Sequence, residues 1–233
     1  MIDREVCVMI AAAGMGKRMN LKQNKQYLPI HGKPMVRHTI EIFDDMDEIS
    51  FLVLLIREGE EAMMKEILED MDLSHSIYMV VGGDERQDTI WEGLQFLKDW
   101  NGIILTHDGA RPFVTKEEVL AVIEGAEESG ACCLSTPMKD TVKISEDGKW
   151  SGVTPDRSKL YAIQTPQGFQ KDILVRAYVQ AYDEGYYGTD DCSLVEKTGR
   201  RVKLIRGSYN NIKLTTPEDL IFADAIYTDR KGS

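Results

Sequence analysis

The stretch Val6-Cys7-Val8-Met9-Ile10-Ala11-Ala12-Ala13-Gly14-Met15-Gly16-Lys17-Arg18-Met19, with Lys22 and Lys25 close behind, decides how the rest of the chain is read. Its apolar run, Val6–Ala12, is rich in Val and Ile and lacks strict alternation, the pattern of a strand buried on both faces of a parallel sheet. Small residues and glycines follow at once, and then a cluster of cations. Open α/β sheets bind ligands at the carboxyl ends of their strands. A small-residue turn there lets backbone N–H groups approach an anion, while Lys and Arg supply charge. The segment Gly14–Lys25 therefore reads as a phosphate cradle; taken alone, it reads equally well as a glycine turn carrying solvated lysines. Two familiar cradles are excluded. A dinucleotide fingerprint needs a third glycine where Met19 stands, and a P-loop needs four residues between its glycines and Ser or Thr where Arg18 stands.

Working outward, similar apolar runs recur at Ser50–Ile56, Ser76–Val81, Gly102–Thr106 and Gly130–Thr136, with amphipathic helical segments between them. Thr115-Lys116-Glu117-Glu118 is a capping box, Thr216-Pro217-Glu218-Asp219 sets an N-cap before an N1 proline and acids, and Asp84 caps a helix bearing Ile90, Leu94 and Leu97. Alternating strands and helices predict an α/β fold with a mostly parallel sheet and right-handed crossovers. The pattern changes after Pro137. Thr141-Val142-Lys143-Ile144 and Trp150-Ser151-Gly152-Val153 flank the turn Glu146-Asp147-Gly148, which predicts a β-hairpin arm at about 138–156 inserted in a single domain spanning 1–233. Val and Trp on such an arm need a surface to cover them, so a homodimer contact is expected.

Composition narrows the partners. Of 233 residues, 42% are hydrophobic and 29% charged, the balance of a globular chain, and the formal net charge of −11 argues against nucleic-acid or anionic-membrane binding. An anion must then be caught at a local basic cluster. Cys7, Cys132, Cys133 and Cys192 form no C-x-x-C pair and read as buried, reduced thiols of a cytoplasmic protein. Asp3-Arg4-Glu5 precede an apolar stretch too short to span a bilayer.

Other segments carry chemistry at strand ends. Gly82-Gly83-Asp84-Glu85-Arg86-Gln87-Asp88-Thr89 joins a strand to a helix and suits an anion or a base edge, or is simply a capped turn. In His107-Asp108-Gly109-Ala110-Arg111-Pro112 the carboxylate is placed to hold Mg²⁺ together with phosphate oxygens. His107 reads as a maker of local hydrogen bonds rather than a base. Thr141, Arg157, Thr165, Thr189 and Lys213 are uninformative one by one, and Thr189 reads first as a helix cap.

In order, the blocks A-A-A-G-x-G-K-R-M, K-Q-Y, G-G-D-E-R-x-D-T, H-D-G-A-R-P, D-T-V-K, D-R, Q-T-P-Q-x-F, T-D-D and N-I-K-x-T-T-P-E-D-L resemble the 2-C-methyl-D-erythritol 4-phosphate cytidylyltransferase family from Val6 to about Ala225. The resemblance implies a nucleotide-diphospho-sugar transferase fold, a Rossmann-like sheet with a protruding arm that interlocks two subunits. It also implies transfer of CMP from CTP to methylerythritol phosphate with Mg²⁺ and release of pyrophosphate, in the non-mevalonate isoprenoid pathway. Carried over by position, Ala12, Ala13 and Gly14 lie against CTP, and Gly82, Asp84 and Thr89 lie near its base and ribose. Arg18 and Lys25 stabilise the transition state, Asp108 binds the metal with Arg111 beside it, and Arg157 and Lys213 position the acceptor, which Thr141, Thr165 and Thr189 line. Two positions depart from the family. Gly109 stands where alanine is frequent, and Asn210 stands where an aspartate often lies near the metal.

Ribitol-5-phosphate cytidylyltransferase is the nearest alternative, sharing the Q-T-P-Q and N-I-K blocks; its first loop usually has G-G where Ala13-Gly14 stand here. A non-catalytic nucleotide-binding regulator would be expected to lack Arg18, Lys25 or Asp108. The chemistry asks for no general base: a phosphate monoester with a second pKa of about 6 is already largely dianionic. What remains is positioning and charge stabilisation.

Overall fold

The computed structural model describes residues 4–14 and 25–232. The chain begins with β1 (Val6–Ala11), a 3-10 turn (Lys25–Tyr27), the short hairpin β2 (Pro29–Ile30) and β3 (Lys33–Pro34), and α1 (Met35–Asp44). It continues through β4 (Phe51–Ile56), α2 (Glu61–Glu69), β5 (Ser76–Val81), α3 (Arg86–Phe96), β6 (Ile103–Asp108), α4 (Lys116–Ser129) and β7 (Ala131–Pro137). The last third holds β8 (Tyr161–Gln170), α5 (Lys171–Asp183), α6 (Asp191–Lys197), β9 (Lys203–Arg206) and α7 (Pro217–Gly232).

Seven strands form one sheet in the order β5-β4-β1-β6-β8-β7-β9. All run in one direction except β8, which is antiparallel to both neighbours. The expected mostly parallel α/β fold is therefore what forms. Alternation along β1 divides the core: Val6, Val8 and Ile10 pack with α1 and α4, whereas Cys7 and Met9 pack with α3, and the same second core takes in α5 and α6. Helices cover both faces, which is why these strands read as continuous apolar runs.

Two strands escaped the sequence reading. β8 carries Gln164-Thr165-Pro166-Gln167, and a proline among polar residues argues against a strand interior. The sheet accommodates it by a register shift against β7 between Cys133 and Ser135. β9 is four residues long with Lys and Arg at its ends, too short for a pattern to show. Hairpin β2–β3 was also unforeseen; His31 and Gly32 both have positive φ (46° and 78°), the geometry of a tight two-residue turn.

The segment after Pro137 leaves the sheet, as expected, but it forms no strand. Its two legs are bridged by Ile144 N–H to the Val153 carbonyl and Gly152 N–H to the Ile144 carbonyl, each 2.8 Å. Asp147 caps the turn by accepting from the N–H groups of Lys149 and Trp150. An isolated two-legged hairpin has no apolar face to pack on and gains little from a ladder. Caps differ in detail as well. The Thr115 box forms as read, but α3 starts after Glu85 rather than Asp84, and Asp190, not Thr189, caps α6. Among the described residues no helix is long and apolar enough to cross a membrane.

Gly168 lets β8 lie close beneath α4. A methyl there would stand 2.7 Å from Val122 Cγ1 and 3.1 Å from both Ala126 Cβ and the Val122 carbonyl oxygen. Gly168→Ala is therefore expected to lower unfolding free energy by about 1–3 kcal/mol, the usual overpacking cost, read from the urea midpoint. An unshifted midpoint would show that α4 is not held this tightly.

Candidate active site

The chain reverses its direction of travel across the sheet at β1, with β4 on one side and β6 on the other, and ligands of such sheets bind at that crevice. Ala11 and Asp108, the last residues of β1 and β6, are register partners. Beyond them Gly109 N–H donates to the Ala11 carbonyl (3.0 Å), Ala12 N–H to Leu55 (2.8 Å), and Gly82 N–H to Ile56 (2.7 Å). These bonds fix the loops that wall a cleft of about 390 Å³, lined by Ala11, Ala13, Gly14, Lys25, Gln26, Gly83, Asp84, Glu85, Arg86, Thr89, Asp108, Ala110, Lys213 and Thr215. Glycine is required in its upper wall: a Cβ on Gly82 would stand 2.7 Å from Thr89 Cγ2, and one on Gly83 2.5 Å from Asp88 Cβ. Gly109 is similarly close to Gln26, with Oε1 2.9 Å from an added Cβ, so alanine here needs that side chain to give way.

Asp108 is 7% exposed and faces three cations. Lys213 Nζ lies 2.7 Å from Oδ2, Arg111 Nε 3.6 Å from Oδ2, and Arg86 Nε 3.5 Å from Oδ1. Burial by itself would push the carboxyl up, but Arg86, Lys213 and Arg111 together hold it well below the usual carboxylate range. It is an anion at any working pH. Lys25, also 7% exposed, sends its ammonium to the Leu214 carbonyl at 2.8 Å, which ties the 3-10 turn to the loop that carries Lys213.

A second cleft of about 410 Å³ opens on the other side of the same wall, lined among others by Arg111, Gln164, Thr165, Gln167, Thr189, Asp190 and Cys192. Arg86, Asp108 and Lys213 line both clefts. The sequence-derived candidates divide accordingly. Ala13, Gly14, Asp84, Thr89 and Lys25 surround the first cleft, Arg111, Thr165 and Thr189 the second, and Asp108 and Lys213 the junction. Ala12 is buried behind the first cleft and Gly82 backs onto Thr89. Thr141 is exposed on the arm and Arg157 just after it, at the start of a 3-10 turn (Arg157–Lys159), and neither lines these clefts; Arg157 Nη1 donates to the Lys139 carbonyl at 2.7 Å. Arg18, with Lys17 and Lys22, lies outside the described residues.

Sequence reading gave no role to Arg86 or Asp191, although both stand inside quoted motifs. Their pairing spans 105 positions, so no local spacing announces it. Gln26 and Thr215 in the first cleft were likewise unassigned.

His107 is fully buried and serves as a lock. Its Nε2 is 3.1 Å from the Arg111 carbonyl, an acceptor only, so that nitrogen carries the proton. Nδ1 then accepts from the Thr165 hydroxyl (3.2 Å), which in turn accepts from Asp108 N–H (3.0 Å). The relay holds both flanks of the cation-bound carboxylate and uses the neutral imidazole throughout. Burial lowers the His107 pKa to about 4, against the opposing pull of the Arg111 carbonyl and Asp108. The unfolded imidazole, near 6.5, binds its proton first as pH falls, so stability is full above about 6.5 and is lost as pH drops toward 4. His107→Gln should flatten the dependence of Tm on pH between about 7 and 4 while sparing most turnover. An equally steep dependence in the variant would place the titrating group elsewhere, and lost turnover with CTP binding intact would give His107 a chemical role.

Known proteins match the chain along nearly its whole length. The family profile of 2-C-methyl-D-erythritol 4-phosphate cytidylyltransferase (IspD) matches residues 6–229. Curated relatives of that name include one from Bacillus velezensis, 44% identical over 230 residues (98% of each chain), and one from Clostridioides difficile, 43% identical over 224 residues (96% of this chain and 94% of the relative). Among solved structures, the 4-diphosphocytidyl-2C-methyl-D-erythritol synthase of Anaerococcus prevotii superposes with a TM-score of 0.85 at 35% identity, covering 97% of this chain and 99% of that one. The 2-C-methyl-D-erythritol 4-phosphate cytidylyltransferase of Thermus thermophilus gives 0.79 at 30%, covering 96% and 99%. With its fold and nearly its whole length matched, the chain belongs to the 2-C-methyl-D-erythritol 4-phosphate cytidylyltransferase family.

Proposed function

We propose that the chain carries out its family's reaction, transferring CMP from CTP to 2-C-methyl-D-erythritol 4-phosphate, with CTP in the first cleft and the acceptor in the second. The observation that carries this assignment is the shared wall: two clefts of similar size meet at Arg86, Asp108 and Lys213. A nucleotide base and ribose suit the glycine-walled side, where Ala13, Gly14, Asp84 and Thr89 stand. The acceptor phosphate suits the side with Arg111, Thr165 and Thr189. The α-phosphate of CTP then falls at the junction. An oxygen of the acceptor phosphate dianion attacks α-phosphorus, a new P–O bond forms, and the bond to the β-phosphate oxygen breaks, its electron pair leaving with pyrophosphate. No proton moves, so a sealed, neutral His107 is no obstacle. The task is to bring two anions together and spread the charge that builds. Lys25, Lys213 and Arg111 supply fixed positive charge for it, and the family resemblance assigns Arg18 a share of the same task.

Mg²⁺ fits Asp108. Oδ2 is taken by Lys213 at 2.7 Å, but Arg86 approaches Oδ1 only to 3.5 Å, which leaves that oxygen acceptor capacity. Among the described residues no group of three or more His, Cys, Asp or Glu side chains could cage a metal, so the cation would complete its shell with triphosphate oxygens and water, as Mg²⁺ prefers. Bound there, it would neutralise phosphate charge. Asn210, exposed and uncharged, offers no second carboxylate. The arm supports a homodimer: Ile144, Trp150 and Val153 are 54%, 79% and 67% exposed, and a partner subunit covering them would receive Thr141 and Arg157 at its acceptor cleft.

Pyrophosphate release from CTP is expected with methylerythritol phosphate and not with ribitol 5-phosphate, and it should stop when a chelator removes divalent cations. The opposite acceptor preference would favour the ribitol enzyme, and release of no pyrophosphate with either would favour a nucleotide-binding regulator. Lys25→Ala should keep the fold and lower kcat ~10²–10³-fold, the range for losing one preorganised charge. Near-normal turnover in that variant would remove Lys25 from the chemistry.

A further inference from the structure

Asp191 is 1% exposed, and four donors converge on it. Arg86 gives two, Nη1 to Oδ1 at 2.8 Å and Nη2 to Oδ2 at 2.9 Å; the Thr106 hydroxyl reaches Oδ2 and the Tyr178 hydroxyl Oδ1, each at 2.6 Å. The reaction as derived above uses none of these four bonds. Their placement in the chain is what matters. Arg86 opens α3 directly after Gly83-Asp84-Glu85, which line the nucleotide cleft, and Asp191 opens α6 directly after Thr189-Asp190, which line the acceptor cleft. The free edge of the same guanidinium, Nε, faces Asp108 at the junction. One planar group thus touches the metal-site carboxylate and grips the helix that presents the acceptor wall. Gln87 adds a neutral tie one residue on, donating to the Tyr186 carbonyl at 3.1 Å and accepting from Gly188 N–H at 3.0 Å.

We infer that Arg86 is a positioning residue for the acceptor: its fork on Asp191 sets Thr189 and the start of α6 at a fixed distance from Asp108 and the nucleotide loop. A general stabiliser could be any buried partner for Asp191. A guanidinium is the group that binds a carboxylate in a plane with two bonds and still presents a third N–H edge in a set direction, which lysine cannot do. The nucleotide wall has further holds of its own, the backbone bonds of Ala12, Gly82 and Gly109 at the strand ends.

The inference rests on the two-cleft assignment, and the test separates the two. CTP affinity is measured by calorimetry without acceptor, and kcat and acceptor KM by pyrophosphate release. Arg86→Lys keeps the charge and loses the fork. It is expected to raise acceptor KM ~10-fold or more, a misplacement effect, and to weaken CTP binding, whose cleft Arg86 also lines, by a smaller factor. Tyr178→Phe removes a bond to the same carboxylate but leaves the fork, so it should lower Tm with acceptor KM near wild type. Acceptor KM unchanged in Arg86→Lys overturns the inference, as do increases in acceptor KM that merely track Tm across both variants. Should Arg86→Lys fail to fold, the double variant Arg86→Gln/Asp191→Asn removes both buried charges; normal acceptor KM there overturns it equally. A wild-type chain that releases no pyrophosphate with methylerythritol phosphate sinks the functional reading first, and this inference with it.

Discussion

Asp108 is a carboxylate withdrawn from water at the end of β6, and its charge is held there by Lys213, Arg111 and Arg86, each from a different segment. Removing a buried ion from its partners costs several kcal/mol, so each segment is bound to the position of that carboxylate as firmly as the carboxylate is to it. Lys213 brings the loop after β9, which Lys25 fastens from the other side through the Leu214 carbonyl. Arg111 brings the turn after β6, and its Nη1 donates to the Asn211 carbonyl at 2.7 Å, closing a ring with the same loop. Arg86 brings α3 and, through Asp191, α6. The site is a set of segments, each with backbone bonds of its own, gathered on one negative charge.

That arrangement reconciles a chain of net charge −11 with a pair of anionic substrates. The acidic surface repels polyanions at long range, but screening limits that repulsion to about 10 Å at ordinary ionic strength. Among the described residues, Arg86, Arg111 and Lys213 make their ion pairs within the clefts with Asp108 and the sealed Asp191, and Lys25 lines the first cleft beside them. The buried His107 contributes by staying neutral. As an imidazolium it would add a fourth cation beside Asp108, and it would lose the Nδ1 lone pair that anchors the Thr165 hydroxyl.

Much of this was legible in the chain. The runs at Val6–Ala12 and Gly102–Thr106 are apolar because helices cover both sheet faces, and the glycines at 82 and 83 are small because α3 packs against them. The loop residues that line the first cleft follow their strands directly, so position after a strand located them. β8 was not legible: its proline sits where its pairing with β7 slips, between the partners Cys133–Gln167 and Ser135–Ile163. Nor was the strandless arm, since alternating residues promise a hairpin only when something lies beneath one face.

The sequence by itself determined the order of β1, β4, β5, β6 and β7 with helical segments between them, the cations available to a phosphate and the family to which their spacing belongs. These depend on local pattern, on which residues follow which. The tertiary structure alone decided which carboxylate is buried and by whom it is compensated. It decided that His107 is a neutral lock, and that Arg86 and Asp191, 105 positions apart, form one fork between two clefts. Burial and partnership depend on which strand ends become neighbours in the sheet, and that is settled by the packing of the whole chain.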